Sequence, residues 1–97
     1  MLFIVHGSSM ESTYREGDRL FVSRILYLVT SPGINDVVVV KDPRDGRLLL
    51  KRITKIIGGK YFVEGDNPDS STDSRTFGEI ERENILGKVF FRYKKAL

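Results

Sequence analysis

The sequence has no cysteine, no tryptophan and a single histidine among its 97 residues. Without cysteine there is no disulfide, no thiolate metal site and no thiol nucleophile. His6 alone cannot build a zinc site without several carboxylate partners, and no metal-ligand spacing occurs. Neither a metal nor another cofactor is expected. Long apolar runs are also missing, and nothing approaches the ~18 residues needed to span a membrane. The opening Met1-Leu2-Phe3-Ile4-Val5 is too short for a signal-peptide core and has no basic flank. As given, the chain is expected to be cytoplasmic, with no membrane association encoded in it.

What is present describes one small globular domain spanning residues 1–97. Hydrophobic residues make up 40% and charged residues 30%, the balance of a folded chain. The net charge of +3 is spread along the chain, and Arg92-Tyr93-Lys94-Lys95 is its only cluster. A nucleic-acid footprint is denser, so no nucleic-acid partner is expected.

The pattern reads as mainly β with long polar loops. Strands are expected over residues 19–29, 36–42, 47–57, 60–65 and 85–95, rich in branched and aromatic residues and separated by turn signals. The turn Asp42-Pro43-Arg44-Asp45-Gly46 joins one hairpin, and Gly58-Gly59 joins the next. Residues 66–78 read as a polar loop. Residues 10–17 and 79–84 each allow a single helical turn, too short to stand alone.

The stretch His6-Gly7-Ser8-Ser9-Met10 places hydroxyls at a strand end. A serine nucleophile needs a base, commonly a histidine oriented by an acid. His6, three residues before Ser9, points along the strand or away from the hydroxyl and reads as a solvent-facing residue. The glycine-flanked elbow of many hydrolases is absent, because position 11 is Glu. A lysine serves as base where burial favours its neutral form. Alternation along residues 47–57 puts Lys51 on one face with Leu49 and Ile53, and Arg52 on the other with Leu50 and Thr54. Lys55 falls on the Lys51 face, further from the core. Two readings of Lys51 stay open: a desolvated base, or an edge lysine that snorkels to solvent. The strand pattern by itself favours the second.

Three segments bear on that choice. Residues 7–22 (GSSMESTYREGDRLFV), 36–53 (DVVVVKDPRDGRLLLKRI) and 61–78 (YFVEGDNPDSSTDSRTFG) resemble, in order, the nucleophile, lysine and C-terminal boxes of the signal peptidase I family. The resemblance covers nearly the whole chain and implies a small signal-peptidase/LexA-like catalytic β domain. It implies Ser9 as nucleophile, Lys51 as general base, Ser71 as the hydroxyl orienting that base, and Asp73 with Arg75 as a supporting ion pair. Val5, Met10, Leu49 and Leu50 correspond to the wall of a shallow pocket for small side chains. The implied activity is a serine endopeptidase that removes a leader or N-terminal extension from a precursor protein. The implied partner is that precursor or peptide. A truncated, normally anchored member would be membrane-associated instead.

Two positions depart from the family pattern. Ser12 stands where Pro is usual, so a looser turn is expected after the nucleophile. Gly7 stands where some members carry a second hydroxyl donor. The short form also resembles proteases of nickel-type superoxide dismutase maturation. Two alternatives accompany this reading. One is a LexA-type self-cleaving domain, disfavoured because the only alanine, Ala96, has no following glycine. The other is a non-catalytic module that binds a peptide or partner on the same scaffold. In isolation, Asp66, Asn67, Pro68 and Asp69 read as ordinary loop formers, and Asp73–Arg75 as a weak exposed pair.

Overall fold

A computed structural model describes residues 1–97. Its backbone is organised by six antiparallel strands: β1 (Leu2–Ile4), β2 (Arg19–Ser23), β3 (Val37–Lys41), β4 (Leu48–Ile57), β5 (Lys60–Glu64) and β6 (Ile85–Lys94). They form one sheet in the order β1-β2-β6-β3-β4-β5. Both expected hairpins form, β3–β4 and β4–β5. Helical structure is limited to a four-residue helix, α1 (Ser74–Phe77), and three single turns of 3-10 helix. No helix is long and apolar enough to cross a membrane.

The strand expected over 19–29 stops at Ser23. There the chain turns into a 3-10 turn over Leu26–Leu28, and the Leu26 N–H donates to Ser23 Oγ at 3.2 Å. Tyr27 turns inward, its hydroxyl donating to Asp36 Oδ2 at 2.6 Å, while Ile25, Leu28 and Val29 stay exposed. Branched residues suit a strand, yet here tertiary anchoring of Tyr27 overrides that preference. α1 was also not expected within the 66–78 loop. Its N-cap is Asp73, whose carboxylate accepts the Arg75 N–H.

Both faces of the sheet are covered. Val38, Val40, Ile53, Tyr61, Val63, Ile80 and Ile85 pack on one face, and Val5, Met10, Leu20, Val22, Val39, Leu50 and Val89 on the other. The run Val37-Val38-Val39-Val40 thus feeds both cores, as an apolar strand in a doubly covered sheet must.

Register explains the two lysines of β4. Lys51 lies opposite Val38 and Leu50 opposite Val39, so Lys51 shares its face with Leu49 and Ile53, as alternation requires. Lys55 does not share it. A bulge falls between Ile53, opposite Val63, and Lys55, opposite Phe62. The extra residue, Thr54, moves Lys55 to the other face and brings Ile56 back to the core side opposite Tyr61.

Candidate active site

The site lies where β1 and β4 come together although they are far apart in strand order. A cleft of about 590 Å³ is walled by Phe3, Ile4 and Val5 on one side and Leu48, Leu49 and Leu50 on the other. For strands first and fifth in the sheet to share a cleft, the sheet must curl strongly. Ser9, Met10 and Lys51 line the same cleft. A smaller lobe of about 200 Å³ continues past Ser8, Ser9 and Lys51 to Ser70 and Thr72. Val5, Met10, Leu49 and Leu50, all expected at a pocket wall, line the larger lobe.

Lys51 is buried, with 3% of its surface exposed. The snorkelling alternative is therefore not what the chain does. Its Nζ donates to Ser71 Oγ at 3.0 Å, a neutral acceptor, rather than to a carboxylate. Burial pushes the amine below the ordinary lysine value, Asp73 pulls it back up, and Arg75 pushes it down again. Ser9 and Lys51 share the cleft, while the amine's hydrogen bond goes to Ser71.

Ser71 is held at three points. Its oxygen accepts from Lys51 Nζ and from the Gly65 N–H at 3.1 Å, and its hydroxyl donates to Asp73 Oδ2. Asp73 is fully buried, and Arg75 forks onto it with Nε–Oδ1 at 3.0 Å and Nη2–Oδ2 at 2.6 Å. Burial alone would raise this carboxyl. The hydrogen bonds from Arg75, Ser71 and the Gly65 N–H outweigh it and hold Asp73 well below the usual carboxylate range. The pair that its loop position alone would leave exposed and weak is thus half buried and closely held.

Gly65 is required by space. A Cβ there would lie 2.3 Å from Ser71 Oγ and 2.6 Å from the Ser9 carbonyl oxygen. This glycine lets the loop of Ser71 and the segment of Ser9 pack against one backbone point.

A second network, not evident from sequence, supports the Ser9 segment. Asp66 and Asn67 are more than loop formers: the Asn67 N–H donates to the Ser9 carbonyl at 2.8 Å, and its side-chain amide to the Ser8 carbonyl at 3.0 Å. Asp66 accepts two bonds of 2.9 Å from Arg52 and one from Thr13 Oγ1. The Asp66 N–H points at Met10 Sδ, 3.4 Å away. Arg52, next to the buried lysine but on the opposite face, thereby ties β4 to the loop that fixes the Ser9 backbone. The signal was the charge pattern itself, a Lys-Arg pair and a Gly-Asp-Asn run with no other evident partners.

The turn after Ser9 is not loose. Met10 O accepts from both Thr13 N and Tyr14 N at 3.0 and 2.8 Å. Ser12 has φ of 81°, a conformation that the proline ring forbids. Where the family pattern has proline, this chain winds the turn differently. His6 is exposed and lines both lobes, and Gly7, at φ 76°, has open space around it. No cluster of His, Cys, Asp or Glu suited to a metal ion occurs in the chain.

The sequence pattern of the signal peptidase family, peptidase S26, matches residues 1–58 and 54–94. The chain belongs to this family. Among its curated relatives, the mitochondrial ATP-independent inner membrane protease subunit 1a of Arabidopsis thaliana is 32% identical over 91% of this chain and 67% of its own length. The probable signal peptidase I-1 of Synechocystis is 24% identical over 95% of this chain and 70% of its own. Signal peptidase IB of Staphylococcus aureus is 57% identical over a shorter stretch of 35 residues. The chain spans about two thirds of the length of the first two. The three segments that resemble the family's boxes include the Ser9 turn, the Lys51 segment of β4, and the loop from Gly65 to α1.

Proposed function

We propose that this peptidase-family chain is a serine endopeptidase in which Ser9 is the nucleophile and Lys51 the general base. The observation that supports this most is the buried Lys51 amine, bonded to a neutral hydroxyl, in the cleft that also holds Ser9. In the proposed step, neutral Lys51 takes the Ser9 hydroxyl proton as Ser9 Oγ bonds to the scissile carbonyl carbon. Lys51 then gives that proton to the leaving amine as the C–N bond breaks, leaving an acyl-enzyme. Water repeats the sequence: Lys51 takes its proton, the acid product departs, and Ser9 recovers its hydrogen.

The Ser9 N–H has no backbone acceptor within the chain, while the Ser9 carbonyl is pinned by Asn67. That leaves the N–H to donate to the developing oxyanion. The substrate strand has a place as well. β5 pairs with β4 only from Arg52 onward, so Leu48–Lys51 keeps one edge without a strand partner. An extended peptide laid there completes the ladder by β-augmentation.

The proposed substrate is a precursor protein whose leader or N-terminal extension carries small side chains before the cut. An exported precursor and a nickel-type superoxide dismutase precursor are two such substrates, and incubation with each purified precursor separates them. Ser9→Ala is expected to abolish cleavage with the fold unchanged by circular dichroism. Unchanged turnover in that variant would overturn the proposal.

A further inference from the structure

Arg47 stands where the two lobes of the cleft meet. Arg47 lines both lobes together with His6, Gly7, Ser9, Leu49 and Lys51, so it borders the cleft that holds the proposed reacting pair. No aspartate or glutamate lines either lobe. With Lys51 held toward its neutral form by burial, Arg47 is the permanent charge facing the cleft. Its root is fixed: the Arg47 N–H donates to Asp45 Oδ1 at 3.0 Å, and its carbonyl accepts the Asp42 N–H at 2.8 Å.

The side chain is poorly committed. Its one ion pair joins Nε to Asp45 Oδ2 at 3.0 Å, with the two side chains 73% and 45% exposed. Pairs so open to solvent contribute little. A guanidinium carries five N–H donors, and Asp45 takes only that on Nε. Both terminal amino groups remain to grip a second carboxylate through paired bonds.

We propose that Arg47 is a specificity-determining residue that selects substrates carrying an aspartate or glutamate side chain next to the scissile bond. The inference rests on the reading of Ser9 and Lys51 as the reacting pair. The apolar walls set by Leu48–Leu50 and Phe3–Val5 accept small side chains, and Arg47 adds a charge requirement at the edge.

The test uses peptides of one sequence with Asp, Asn or Lys at each of three positions on either side of the cleaved bond. At one position the Asp peptide is expected to have a kcat/KM about fivefold above the Asn peptide, with Lys lowest. Arg47→Glu is expected to invert that order. Asp45→Asn, which frees the guanidinium, is expected to widen the ratio, and about 1 M salt to narrow it. A ratio unchanged by Arg47→Glu overturns the proposal.

Binding gives a readout that does not need turnover. Fluorescence anisotropy of the same peptides on Ser9→Ala is expected to follow the same charge order, inverted when Arg47→Glu is added. If the wild-type chain cleaves none of the peptides, the peptidase reading fails and anisotropy still decides the charge selection. If it cleaves them with a flat charge profile in rate and binding, the Arg47 proposal fails and the peptidase reading stands.

Discussion

Lys51 and Lys55 lie four residues apart on β4 and live in opposite environments. Lys51 is buried against Ser71 and pushed toward neutrality. Lys55 is exposed, its Nζ lying 5.2 Å from the Phe62 ring centre at the surface. Strand propensity does not distinguish them. Two things do: the bulge at Thr54, which sends Lys55 to the other face, and the Gly65–Ser74 segment, which covers Lys51. A lysine becomes a candidate base here through its cover, and the cover is built by residues 14 to 23 positions away in sequence.

The largest expected effect comes from exchanging each lysine for methionine. Lys51→Met is expected to lower peptide cleavage by about 10²–10⁴-fold, the usual worth of a general base. Its stability is expected to be no lower than wild type, because a desolvated amine is replaced by an apolar chain. Lys55→Met is expected to stay within about twofold in turnover. Equal losses in the two variants would erase the distinction.

The cover can be broken directly. Gly65→Ala is expected to cost about 1–3 kcal/mol in denaturant unfolding, since its methyl group meets Ser71 Oγ and the Ser9 carbonyl. Turnover is expected to fall with it, as Ser9 and Ser71 are pushed apart. A mutant of wild-type stability would show that the packing is looser than described.

Asp73 gives the cover its acid limit. Its folded pKa is depressed, so it adds stability that is complete above the unfolded value of about 3.9 and is lost as pH falls through the folded value. Unfolding free energy is expected to decline as pH drops below about 4, and the decline to be shallower in Asp73→Asn. The same slope in both chains would place the acid-labile interaction elsewhere, such as at Asp18 or Asp42.

The smallest and sharpest effect concerns Arg75. Asp73 raises the Lys51 pKa and Arg75 lowers it, so the ion pair spares the amine from a bare carboxylate. Arg75→Gln is expected to shift the Lys51-dependent limb of kcat/KM to higher pH. A downward shift would reverse the assigned sign.

Much of this arrangement was legible in the sequence. Alternation set the face of Lys51, and turn chemistry set both hairpins. The three boxes in order named Ser9, Lys51, Ser71, Asp73 and Arg75, which converge around one cleft and its supporting loop. The rest depended on long-range contacts that local patterns do not carry. Propensity extended β2 through Val29 because the inward anchor of Tyr27 on Asp36 is tertiary. The Thr54 bulge shifts register by one residue with no glycine or proline to mark it. Asp66 and Asn67 read as loop formers because their partners, Arg52, Thr13 and the Ser8 and Ser9 carbonyls, are 14 or more positions away.

The central claim is that the buried Lys51 amine is the base for Ser9, and the pH dependence of kcat/KM tests it most directly. Wild-type cleavage is expected to rise along a limb whose midpoint lies below the ordinary lysine value of about 10.4. That limb is expected to vanish in Lys51→Met, with acyl-enzyme formation on Ser9 slowed as much as turnover. Retention of the same limb and the same rate in Lys51→Met would contradict the account.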